Sequence, residues 1–216
     1  MNWPECDADG FGAEDILRLT DVSRETLERI ATVINVLDRW RTTYNLIGPS
    51  ERDHLWRRHV LDSVQIWPYR CAETSAWIDL GSGAGFPGLI TACMAASTNS
   101  SFTLVESSGK KASFLRAASR EADLSVTVKS ERIESVSRET FQHVSSRALA
   151  SLPRLLDYAD RFLDPEGCCI FLKGKGVEDE VGDAQKAWLF QHDTHPSLSD
   201  PEGRVLIIRE LTRKVT

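Results

Sequence analysis

The chain has no apolar run of membrane-spanning length, no internal repeat and no low-complexity tract. Its N-terminus is acidic, carries Trp3, and lacks the basic and apolar regions of a secretory leader. Membrane spans, solenoid arrays and secretion are therefore disfavoured, and a cytoplasmic protein that engages no membrane is expected. The five cysteines (Cys6, Cys71, Cys93, Cys168, Cys169) contain no C-x-x-C pair. Their odd number argues against a disulfide framework, and no metal site is expected. Cys93, Cys168 and Cys169 fall within apolar runs and read as reduced core thiols. Basic residues are not in excess either. Lys and Arg total 26 against 32 Asp and Glu, and the net charge of −6 argues against indiscriminate coating of nucleic acid.

What is present suits one sizeable core with a helical extension. The first twelve residues show no periodicity and are expected to be irregular and frayed. From Ser23, a capping residue, Leu27, Ile30, Ile34, Leu37 and Trp40 recur at helical spacing. A second helix is expected over 51–67, with Leu55, Trp56, His59, Val60, Ser63 and Trp67 near one face and Pro68 closing it. Residues 39–70 carry six arginines (39, 41, 52, 57, 58 and 70) against Glu51, Asp53 and Asp62. That excess suits either a phosphate-facing patch or a solvated helix face. Beyond residue 76 strands alternate with helices. Strands are expected at 76–80, 101–106, 125–129, 142–146 and 167–173, and helices at 87–96, 110–122, 150–163 and 178–188. Such alternation gives a parallel sheet covered on both faces. Strand-like runs at 189–194 and 204–211, joined by a Pro- and Asp-rich turn, predict an antiparallel hairpin at its edge.

The run Trp77 to Gly88, W-I-D-L-G-S-G-A-G-F-P-G, is a strand that breaks into a glycine loop and then opens a helix. A chain does this where its backbone lies against a nucleoside cofactor, whose polar groups the helix N-terminus can meet. Pro87 suits the first turn of that helix. The dinucleotide fingerprint G-x-G-x-x-G would need glycine at position 86, where Phe86 stands. The spacing G-x-G-x-G, on Gly81, Gly83 and Gly85, is instead that of S-adenosylmethionine (SAM) methyltransferases, and an NAD-dependent oxidoreductase is disfavoured.

The second strand ends in Glu106, placed to hold a ribose diol. Asp79, at the end of the first strand, either orients the glycine loop or faces the methionine end of the cofactor. After the third strand, Ile133 and Glu134 are placed to sandwich adenine and accept from its amine. The rival reading is a helix start with an acid in its first turn. Arg147, at the tip of the fourth strand, is expected to face cofactor or target. The fold class is thus α/β: a Rossmann-like SAM-dependent methyltransferase fold over 71–216, mostly parallel with a C-terminal hairpin. Residues 1–70 form an N-terminal helical extension that is not an independent domain.

The acceptor is narrowed by further absences. There is no Pro-Pro for the D/N-P-P-aromatic motif of amine methylation, and no Pro-Cys for attack on a pyrimidine carbon. A ring nitrogen such as guanine N7 loses no proton on methylation and needs only alignment in a water-poor site. No general base is therefore expected, with Arg147 the one candidate for a catalytic role.

The segments Tyr44–Leu46, Arg58–Ser63 (R-H-V-L-D-S), Asp79–Gly88, Gly109–Lys111 with Phe114–Leu115, Arg132–Glu134, Ser146–Ala148 and Leu172–Gly174 resemble the bacterial 16S rRNA (guanine-N7)-methyltransferases, or glucose-inhibited division protein B family. The likeness spans roughly residues 40–175. It implies SAM-dependent methylation of N7 of a guanine in 16S rRNA, with the small ribosomal subunit or its precursor as partner and no role for DNA. It also implies cofactor contacts at Gly81, Phe86, Ile133, Glu134 and Arg147. Family members commonly carry Asp where Glu106 stands, a conservative departure. Arg57, Arg58, His59, Lys110, Lys173 and Lys175 are candidate RNA contacts, although R-H-x-L-D-S could instead lock the extension onto the sheet. A monomer is expected. The rival function is a non-enzymatic ribosome-assembly factor that retains a SAM pocket.

Overall fold

The computed structural model describes residues 3–73 and 75–215. Among them, no helix is long and apolar enough to cross a membrane. Seven strands form one sheet in the order β3-β2-β1-β4-β5-β7-β6. They are β1 (Ala76–Leu80), β2 (Ser101–Val105), β3 (Val126–Lys129), β4 (Phe141–Arg147), β5 (Leu163–Lys173), β6 (Trp188–Pro196) and β7 (Arg204–Arg213). The first five run parallel, while β7 is antiparallel to both β5 and β6. The order reverses between β1 and β4, which opens a crevice at their carboxyl ends.

Helices α4 (Gly88–Met94), α5 (Gly109–Glu121), α6 (Leu152–Ala159) and α7 (Val177–Ala184) connect the strands. The expected helix 150–163 stops short because the chain enters β5 at Leu163, pairing with Phe141. The expected helix 178–188 ends early for a similar reason. Trp188 is fully buried as the first residue of β6, a place that a longer α7 would deny it.

The extension shares a core with the sheet. Helix α2 (Arg24–Arg41) starts with the Ser23 side chain accepting from the Thr26 amide at 3.1 Å. It buries Leu27, Ile30, Ile34 and Leu37 in one cluster with Leu89, Phe114 and Leu115. Trp40 meets Phe114 edge-on at 6.0 Å.

Two expectations fail in the extension. Residues 3–12 are irregular but not frayed, and the part of that expectation that falls on residues 1 and 2 lies outside the described residues. Phe11 is buried, and both oxygens of buried Asp7 accept backbone N–H groups, from Trp56 and Arg57, at 2.8 Å. Burial raises the Asp7 carboxyl above its ordinary value. A short helix α1 (Ala13–Leu19), which the sequence pattern did not announce, follows. The expected helix 51–67 is instead a succession of turns: 3-10 at Pro49–His54, π-helical at Trp56–Leu61, α3 at Asp62–Val64, and 3-10 at Trp67–Tyr69. Leu55, Trp56, Val60, Leu61, Val64 and Ile66 are all buried, so this stretch is enclosed on most sides and has no single apolar face.

Candidate functional site

After β1 the backbone takes φ values of +70° at Gly81, +56° at Gly83 and +90° at Gly85, in the region that side chains disfavour. At Gly81 an added Cβ would also meet the Leu149 side chain at 2.7 Å. At Gly83 it would meet nothing nearer than 3.8 Å, so that face of the loop is open. Glu106 closes round the loop from the tip of β2. Its Oε2 accepts the Gly83 amide at 2.9 Å and its Oε1 the Ser108 amide at 2.7 Å.

The open face of Gly83 looks onto a cleft of about 330 Å³ lined by Gly81, Glu106, Ile133, Glu134, Leu149 and Tyr158, among others. Ile133 is largely buried beneath it, while the Glu134 carboxylate stands at the rim and accepts from Tyr158 Oη at 2.8 Å and Arg154 at 3.2 Å. These contacts, with backbone hydrogen bonding foremost, lower the Glu134 pKa and keep it ionised. An adenosyl group suits this cleft: a backbone face without a Cβ, a carboxylate with spare lone pairs, and an apolar side chain beside an acceptor.

Asp79 does not line this cleft. It is fully buried under the loop, with Oδ1 accepting Ser145 Oγ at 2.7 Å, and Ser145 in turn accepting Trp77 Nε1 at 2.8 Å. Burial raises its pKa to about 6. Phe86 is buried where the loop meets the extension, 5.0 Å from the His59 ring and 5.7 Å beneath the Arg147 guanidinium.

A second cleft of about 450 Å³ adjoins the first and is lined by Glu51, Arg58, His59, Asp62, Arg147 and Lys173, among others. Arg147 is its hub. It donates to the Arg58 carbonyl at 2.7 Å, to Asp62 Oδ2 at 3.2 Å, and to His59 Nδ1. Three members of the R-H-x-L-D-S segment thus grip the tip of β4, and Ser63 Oγ donates to the His59 carbonyl at 2.6 Å. The segment locks the extension to the sheet. With Nδ1 accepting from Arg147, His59 Nε2 carries the proton and donates to Glu51 Oε2 at 2.9 Å. Burial, then the charge of Arg147, lowers the His59 pKa to about 4. The imidazole is therefore neutral, with both nitrogens engaged.

The remaining basic residues differ in availability. The Lys173 ammonium is mostly buried, donating to Glu180 at 2.6 Å and to the Ala150 carbonyl at 3.2 Å. Arg57 lies over Phe11 and pairs with Asp9, and Arg58 pairs loosely with Glu51 at 3.4 Å, yet both stay substantially exposed. Lys110 stands 5.7 Å over the Tyr44 ring, and exposed Lys175 reaches Glu202 at 3.4 Å. Within the arginine-rich stretch, Arg39 pairs with Glu121, and Arg41 and Arg52 pair with Asp38. Much of the apparent basic excess is therefore neutralised within the fold. Sequence reasoning missed Leu149, Arg154 and Tyr158 at the first cleft and Glu51 and Asp62 as partners in the second. Only Asp62 carried a signal, as part of R-H-x-L-D-S. A larger hollow of about 560 Å³, lined by Trp67, Arg70, Met94 and Leu198 among others, touches none of these strand tips.

Known proteins with similar sequences bear on this geometry. The family described as rRNA small subunit methyltransferase G matches residues 26–207. A ribosomal RNA small subunit methyltransferase G of Hyphomonas neptunium is 47% identical over 198 residues, covering 92% of this chain and 94% of that protein. The one from Cereibacter sphaeroides strain ATCC 17023 is 44% identical over 200 residues, covering 92% and 97%. Among solved structures, an O-methyltransferase from Bacillus cereus in complex with SAH superposes with a TM-score of 0.58 at 13% identity, covering 91% of this chain and 96% of that one. A methyltransferase from Pyrococcus furiosus gives 0.56 at 15% identity, covering 85% and 98%. These two likenesses are likenesses of fold.

Proposed function

The chain belongs to the rRNA small subunit methyltransferase G family, and on that premise we propose that it transfers the methyl group of SAM to N7 of a guanine in 16S rRNA. The small subunit or its precursor is the partner, and the enzyme acts as a monomer. One observation carries the reading. The tip of β4 divides the two clefts, with Arg147 and Ala148 lining one and Leu149 the other. A methyl donor held on the glycine-loop side and a base held on the Arg147 side would meet across three consecutive residues.

When bound, the cofactor supplies an electrophilic methyl on a sulfonium. Gly81 and Gly83 offer backbone, and Glu106 offers carboxylate lone pairs to the ribose while it holds the loop. Ile133 packs against adenine, with Glu134 accepting from its amine. Phe86 and Leu149 keep water from the junction between the clefts. Asp79 orients the loop from below through Ser145. Arg147, fixed by His59 and Asp62, positions the guanine. Guanine N7 already presents a lone pair, so no side chain must remove a proton, and neutral His59 with both nitrogens engaged is in keeping with that chemistry. Arg57, Arg58, Lys110 and Lys175 meet RNA phosphates, while His59 and Lys173 support them from within.

Incubation with methyl-labelled SAM and small subunits lacking the modification, followed by mass spectrometry of 16S rRNA digests, tests the reading. N7-methylguanine at one position is expected. SAM binding without incorporation would leave the assembly-factor reading, which the family relationship does not favour.

A further inference from the structure

About 13 Å back along β4 from the Arg147 rim, three side chains that methyl transfer does not use converge. His143 of β4 and Cys168 of β5 are neighbours in register on adjacent parallel strands, and both are buried. Cys71 approaches from the segment that leads out of the helical extension. Its Sγ lies 3.3 Å from His143 Nε2, and the three candidate donor atoms all lie within 4.8 Å of one another.

His143 Nε2 accepts the Cys71 amide at 2.9 Å. Its proton therefore sits on Nδ1, and the lone pair of Nε2 is directed at Cys71. Among the described residues, buried Nδ1 has no hydrogen-bond partner. The ring is held face to face with Trp77 at 4.5 Å, which fixes its plane. Nε2, and not the unpartnered Nδ1, faces the Cys71 thiol, so a cation there would take the Nε2 lone pair in place of the Cys71 amide.

We propose that Cys71, His143 and Cys168 form a zinc site, which takes Zn²⁺ through two thiolates and the Nε2 lone pair, with water as fourth ligand on the exposed side of Cys71. In tetrahedral zinc centres, bonds of about 2.3 Å to sulfur and about 2.0 Å to nitrogen put the donors about 3.5–3.8 Å apart. From donor atoms within 4.8 Å of one another, the cluster reaches that geometry by a contraction of at most about 1.3 Å. Binding releases two thiol protons to solvent, and the two thiolates balance the charge of the cation. A disulfide would join the sulfurs and leave the imidazole idle, whereas a thiophilic cation uses all three groups. The site clamps the exit of the extension to β4 and β5.

Reduced full-length protein titrated with Co²⁺ tests this, alongside Cys71→Ser, Cys168→Ser and Cys6→Ser. One equivalent is expected to give thiolate-to-cobalt charge-transfer absorption and the intense visible bands of tetrahedral cobalt, both abolished by equimolar Zn²⁺. Cys6→Ser should retain these bands and Cys71→Ser should lose them. Because Cys71 is exposed, its serine variant is expected to keep its circular dichroism spectrum even if Cys168→Ser does not fold. Pale octahedral cobalt in the wild type, or unchanged bands in Cys71→Ser, would overturn the site. So would a Cys71–Cys168 disulfide in the isolated protein with no metal uptake after reduction.

Discussion

The clefts on either side of the β4 tip share a rim but are made of different material. The Gly83 cleft is largely backbone: a loop with positive φ, strand ends, and one carboxylate that accepts the amides of Gly83 and Ser108. The Arg147 cleft is largely side chains, tied across 85 and more residues of sequence from Arg147 to Asp62, His59 and the Arg58 carbonyl. The first should therefore fail all at once, when its backbone loses room for a ligand. The second should fail by degrees as partners are removed.

Gly83→Val gives the largest effect. The new side chain points into open space in the cleft and must adopt φ +56°. SAM affinity is expected to fall by more than about 100-fold, roughly 3 kcal/mol, while the strain costs about 1–3 kcal/mol of stability. Calorimetric titration with SAM, checked against circular dichroism, measures both. Unchanged affinity would place the cofactor elsewhere.

Arg147→Ala comes next. It leaves Asp62 and the His59 Nδ1 lone pair without their cation, in a setting only partly open to solvent. Methyl transfer should drop by about 100-fold, with a loss of about 2 kcal/mol of stability and SAM binding nearly intact. A parallel loss of SAM affinity would show that the two clefts are not separable.

Acid separates the regions by sign. His59 has a folded pKa of about 4 against 6.5 when free, so the unfolded chain binds the proton first. Its contribution to stability falls as the pH drops from 6.5 towards 4, by about 2 kcal/mol between pH 7 and 5. Asp79 has a folded pKa of about 6 against 3.8 when free, so the folded chain binds the proton first. Its contribution rises over the same interval, by about 1 kcal/mol. Denaturant melts at pH 7 and 5 should therefore show His59→Gln losing less stability in acid than the wild type, and Asp79→Asn losing more.

Arg58→Ala should be the mildest. Its carbonyl, not its side chain, holds Arg147, and its ion pair with Glu51 is long and exposed. Stability should stay within about 0.5 kcal/mol, SAM affinity should be unchanged, and the salt dependence of rRNA binding should lose about one unit of slope. Loss of fold would make the residue structural.

The same contrast explains what could be read in advance. Strands β1, β2 and β4 lie close to where their apolar runs predict, and the glycine spacing indicates the loop, because both signals are local. Helix α1, the π-helical turn at Trp56–Leu61 and the early start of β5 are not legible, since each is set by its neighbours. Asp7 caps backbone groups fifty positions away, Trp188 claims a strand position in the core, and Leu163 pairs with Phe141. In the site, Glu106 could be placed as the acid at a strand tip, but not its grip on Gly83. Lys173 is a basic residue in sequence and a buried partner of Glu180 in the fold.

By itself the sequence determined the alternation of strand and helix, the glycine turn, the acid after β2 and the family likeness, because periodicity and backbone permissiveness act over a few residues. Tertiary structure alone decided which arginines are free, that His59 is neutral, that Asp79 lies beneath the loop, and that Cys71, His143 and Cys168 meet. Burial and charge depend on what the chain brings back from far away, and spacing does not encode that.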